Sequence, residues 1–94
     1  MKIYNSIFGG KEDITNPQYE VKGNKVYATI YNKEAPVKNR IMPMYEIKGD
    51  NIHRTVFHPE GHSIAPVYKI AGNNIHSTIH NSNHIVMPTF HIKR

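Results

Sequence analysis

Apolar and polar residues alternate along this chain in short runs, and the runs repeat. Pro43 to Phe57 reads P-M-Y-E-I-K-G-D-N-I-H-R-T-V-F: a proline, an alternating stretch, a Gly-Asp turn, and a second alternating stretch that ends in a hydroxyl, an aliphatic and an aromatic residue. The same arrangement stands at Pro17 to Tyr31 and at Pro66 to His80. Period-2 alternation on either side of a Gly-Asn or Gly-Asp pair predicts a β-hairpin, because glycine adopts positive φ without steric cost. Pro17, Pro43, Pro66 and Pro88 are spaced by 26, 23 and 22 residues, so the hairpin is a repeating unit.

The fourth unit begins at Pro88 with P-T-F-H-I-K-R and stops before its second half. That half stands at the other end of the sequence, where M-K-I-Y-N-S-I-F aligns with N-K-V-Y-A-T-I-Y of Asn24 to Tyr31. Two complementary half-units, with no atypical capping units, predict a closed ring in which the N-terminal strand completes the last hairpin. The expected fold is all-β: four β-hairpin repeats in a closed four-fold ring, a β-flower or miniature propeller-like arrangement. The single domain divides at about 17–42, 43–65, 66–87, and 88–94 joined with 1–16. An eight-stranded up-and-down barrel satisfies the same alternation.

Expected strands run over Lys2–Phe8, Tyr19–Lys22, Lys25–Tyr31, Ile41–Lys48, Asn51–His58, Ser63–Ala71, Asn74–His80 and His84–Lys93, with no helical segment. The repeat prolines fall inside the longer strands, where the missing N–H marks a bend. Aligning the units gives columns. Ile3, Val26, Ile52 and Ile75 form one, and Ile7, Ile30, Val56 and Ile79 another. Tyr19, Tyr45, Tyr68 and Phe90 are aromatic, while Val21, Ile47, Ile70 and Ile92 are aliphatic. All four columns are expected in the core. Ser6, Thr29, Thr55 and Thr78 form a hydroxyl column, expected to pack near the four-fold axis.

The hairpin pattern P-x-Y-x-I-x-G-N-x-I-x-x-T-I resembles the small bacterial four-fold β-flower domains, and the likeness covers Met1 to Arg94. It implies four petals around an axis. The family's function is not established, and the resemblance brings no catalytic residue to any position here.

Composition narrows the chemistry. The chain has 94 residues and no cysteine, so neither a disulfide nor a thiolate metal site stabilises it. It has no apolar stretch of signal-peptide or membrane-spanning form, which points to a cytoplasmic protein with no membrane partner. There is no cysteine nucleophile and no Gly-rich phosphate loop, and the equivalent acids Glu20 and Glu46 give way to Lys69 and His91 in the other units. The expectation is therefore a non-catalytic interaction module with no cofactor, binding a protein or a small molecule at a rim or on the axis.

Two alternatives rest on particular residues. The formal net charge is +5, and Lys22, Lys25, Lys48, Lys93 and Arg94 gather at the tight-turn end with Asp50 as the acid among them. Such a rim suits an anion or nucleic acid. The second alternative is a divalent metal. His58 and His62 flank Pro59-Glu60-Gly61, and His80 and His84 flank Asn81-Ser82-Asn83, so either pair is placed to meet across its turn.

Overall fold

Glycine sets the three tight turns. Gly23, Gly49 and Gly72 have φ of 64°, 63° and 63°, while among the described residues no other residue type adopts positive φ. The following Asn24, Asp50 and Asn73 therefore stay on the ordinary side, which is the φ pattern of a II′ turn with glycine first. A computed structural model describes residues 1–93 as eight four-residue strands: β1 Lys2–Asn5, β2 Tyr19–Lys22, β3 Lys25–Ala28, β4 Tyr45–Lys48, β5 Asn51–Arg54, β6 Tyr68–Ala71, β7 Asn74–Ser77 and β8 Phe90–Lys93.

The strands pair antiparallel in sequence order, and β8 pairs with β1, so the sheet closes into a barrel with no free edge. Within a hairpin four residue pairs face one another, as in Tyr19↔Ala28 to Lys22↔Lys25. Between hairpins only two do, as in Lys25↔Glu46 and Val26↔Tyr45. The β8–β1 pair has the four-pair register, Lys2↔Lys93 to Asn5↔Phe90. The fourth hairpin is thus assembled from the two ends of the chain. The ring is an eight-stranded barrel with four-fold hairpin character.

Three inward layers fill it. Ile3, Val26, Ile52 and Ile75 are almost fully buried, and they pair with Ile92, Val21, Ile47 and Ile70 to close the tight-turn end. Nearer the other end lie Tyr19, Tyr45, Tyr68 and Phe90. Their rings form a closed circuit of edge contacts, with centroids 5.8, 5.8, 5.4 and 5.7 Å apart in order around the axis. Perpendicular contacts of this kind set the positive ring edge against the negative face. Burial of these layers is the main favourable contribution to folding.

Several expectations are corrected. Seven of the eight strands are shorter than the alternation implied, because each ends where its hydroxyl or proline begins. After Ala28, the Thr29 hydroxyl donates to the Pro17 carbonyl at 2.5 Å and accepts the Tyr31 N–H at 3.2 Å. Thr55 does the same with Pro43 and Phe57, Thr78 with Pro66 and His80, and Ser6 with Pro88 and Phe8. A side chain that captures the N–H two residues on turns the backbone out of the ladder. The hydroxyl column is therefore a set of four corner clamps at the strand ends and not an axial ring. The prolines lie just before the strands, as carbonyl partners of the clamps, and not within them.

The same turn reverses the fate of the residue after each hydroxyl. Ile7, Ile30, Val56 and Ile79 were expected in the core and are instead 71%, 67%, 71% and 83% exposed. Two 3-10 turns, Ile7–Gly9 and Val37–Arg40, occupy segments expected to hold no helix. Among the described residues no helix is long and apolar enough to cross a membrane.

Candidate functional site

The two ends of the barrel differ. The tight-turn end repeats the same short hairpin, whereas the other end carries four unequal loops that join β1 to β2, β3 to β4, β5 to β6 and β7 to β8. The inward residue next to each clamp anchors its own loop, and it changes from unit to unit: Asn5, Ala28, Arg54 and Ser77. Asn5 Nδ2 donates to the Asp13 carbonyl at 3.0 Å. Arg54 Nε donates to the Gly61 carbonyl at 3.0 Å, and its Nη1 lies 3.4 Å from Glu60 Oε2. Ser77 Oγ accepts the Ile85 N–H at 2.9 Å and donates to the Ile85 carbonyl at 3.2 Å. Ala28 has no polar group to offer, and its loop, the longest, packs the Val37–Arg40 turn against β3.

Three residues after each hydroxyl, a second position supports the loops. Asn32 Nδ2 donates to the Gln18 carbonyl, and its Oδ1 accepts the Glu34 and Ala35 N–H groups. Asn81 repeats this with the Val67 carbonyl and the Asn83 N–H. In the second unit histidine takes the same place. His58 Nδ1 accepts the Glu60 N–H at 3.0 Å, so the proton sits on Nε2, which donates to the Tyr45 hydroxyl at 3.2 Å. In the fourth unit the position is Gly9, where a Cβ would lie 2.9 Å from the Thr89 carbonyl oxygen, too close for any side chain.

These loops surround a cavity of about 690 Å³ whose floor is the aromatic circuit. The floor is unevenly covered: Tyr19 and Tyr45 are buried, Tyr68 and Phe90 only half-buried. Burial, partly offset by hydrogen bonding to Asn32 and Tyr45, pushes the Tyr19 hydroxyl up to about 12. Burial likewise holds Tyr45 well above the usual phenol value, reinforced by its tyrosine neighbours. Both hydroxyls therefore stay protonated as hydrogen-bonding groups. Lys11 pairs with Glu34 at 2.6 Å across the rim, and Arg54 with Glu60. Burial lowers the His58 pKa, as does the nearby Arg54 charge, with Glu60 opposing.

The histidines expected to gather a metal are used separately. His58 is buried against Tyr45, and His84 Nδ1 lies 3.1 Å from both the Ser77 hydroxyl and its carbonyl. His62 and His80 are exposed. Among the described residues no three His, Cys, Asp or Glu side chains converge on a common point.

The basic rim is also less free than its sequence suggests. Asp50 is not the acid that matters there, because Glu46 pairs with Lys25 and lies 3.8 Å from Lys48. The Lys25 ammonium, through its hydrogen bond, holds the Glu46 carboxyl below its ordinary value. Lys22 lies over the Tyr27 ring at 5.6 Å and Lys93 over Tyr4 at 4.8 Å. Arg94 lies outside the described residues.

Sequence reasoning missed the mouth itself: Lys11, Glu34, Arg54, Glu60 and the half-covered Tyr68. A signal was present. In units that otherwise repeat closely, the residue before the clamp changes from Asn to Ala to Arg to Ser. No protein-family model matches the chain, and no curated protein or solved structure does either.

Proposed function

We propose that the protein is a non-catalytic binding module of the four-fold β-flower type, cytoplasmic in setting, whose site is the cavity at the loop end of the barrel axis. The observation that carries this reading is the half-open aromatic floor. Tyr68 and Phe90 stay partly exposed at the bottom of a cavity of about 690 Å³ rimmed by polar loops. That volume falls within the roughly 300–1,000 Å³ usual for small-molecule sites, which combine apolar walls with a few fixed polar groups. The groups at the mouth serve one another: His58 is committed to Tyr45 and Glu60, the Ser77 hydroxyl beside His84 to the Ile85 backbone, and the charged groups to one another.

The tight-turn end supports an anion less well, since two of its lysines share Glu46 and two lie over tyrosines. A thermal-shift screen with a metabolite library separates the two ends. Compounds that raise the melting temperature are expected to lose their effect in Tyr68→Leu and to keep it in a Lys22→Glu, Lys48→Glu, Lys93→Glu triple variant. The opposite pattern moves the site to the basic end.

A further inference from the structure

The ligand class follows from how the charges at the mouth are spent. Lys11 is paired with Glu34, and Arg54 with Glu60 and the Gly61 carbonyl, so each charge at the mouth is already offset by one of opposite sign and neither sign is in excess there. Besides His84, whose Nδ1 lies against Ser77, the polar side chains around the opening are neutral and both donate and accept: the Ser82 hydroxyl, the Asn83 amide and the Tyr68 hydroxyl beside Tyr45. Beneath them the wall is apolar, with Met44, Val67 and Phe90.

From this we propose that the mouth takes a neutral saccharide, a pyranose ring whose hydroxyls meet the rim and whose C–H face rests on the half-buried Phe90–Tyr68 side. A sugar hydroxyl, like the groups facing it, donates and accepts at once, and an uncharged ring leaves both ion pairs intact. The inference rests on the mouth being the binding site, and its test separates the two statements.

Calorimetry and tyrosine fluorescence with maltose, cellobiose and N,N′-diacetylchitobiose form the neutral set. Glucuronate and glucose 6-phosphate form the charged set, and benzyl alcohol probes the apolar floor alone. At least one neutral disaccharide is expected to bind, with little dependence on salt. Tyr68→Phe is expected to weaken it about three- to tenfold, the worth of one neutral hydrogen bond. This variant keeps the fold, because the fourth unit already carries phenylalanine at that position. Glu34→Gln frees Lys11 and should raise affinity for the charged set. Tighter binding of the charged set by the unaltered protein overturns the ligand class, as does binding of benzyl alcohol with no saccharide; either leaves the mouth as the site where Tyr68→Leu weakens it, and moves the site elsewhere where it does not. No binding by any probe overturns the ligand class and the site together.

Discussion

His58 shows how one substitution in a repeat couples the structure to pH. It stands where other units have Asn32 and Asn81, and it mimics asparagine by accepting the N–H two residues on. Unlike asparagine it can take up a proton, and then Nδ1 can no longer accept from Glu60. The folded-state pKa lies below the ordinary 6.5, because burial and the Arg54 charge disfavour the cation. The unfolded chain therefore binds more protons at mildly acid pH. The stability this site contributes is complete above about pH 6.5 and is lost as pH falls towards the folded pKa. Urea unfolding between about pH 7.5 and 5 should show this decline, and His58→Asn should flatten it. An unchanged slope in the variant would mean that His58 is not the group responsible.

At the level of the element, each hairpin owes its length to its clamp. Thr55→Val keeps the shape but leaves the Pro43 carbonyl and the Phe57 N–H without their partner, at a cost of about 1–3 kcal/mol in chemical denaturation. Thr55→Ser should recover most of this, and equal losses in both would contradict the clamp. The hairpins were legible in the sequence because glycine and alternation act locally: β2 matches its expected span, and the Ile3 and Val21 columns are inside. Ile7, Ile30, Val56 and Ile79 were misplaced because alternation does not reveal where a ladder stops. That is decided by a hydroxyl reaching a carbonyl 12 residues back in three units, and 82 residues on in the fourth. The partners of the lysine rim were not legible for a similar reason: the inter-hairpin register, which sets Lys25 against Glu46, appears only once the barrel closes.

The whole molecule is a symmetric scaffold with one asymmetric end. Since β8 and β1 already pair in hairpin register, the break in the chain has no special place in the ring. A circular permutant that joins Lys93 to Lys2 through Gly-Asn and opens at Gly49-Asp50 should fold cooperatively with an unchanged far-UV spectrum. Loss of the cooperative transition would show that the ends do more than close a fourth hairpin. The mouth was only faintly legible from sequence, because its four loops differ in length and in anchoring residue and are placed together only by closure. The tyrosines offer the most direct test of its role. Tyr19, Tyr45 and Tyr68 form the floor with Phe90, while Tyr4, Tyr27 and Tyr31 lie elsewhere. With ring-labelled tyrosine, an NMR titration with a ligand from the screens should move the Tyr68 signals first, then Tyr45 and Tyr19, and leave Tyr4 and Tyr27 in place. Shifts confined to Tyr4 and Tyr27 would place the ligand on the outer wall near the lysines and contradict an axial site.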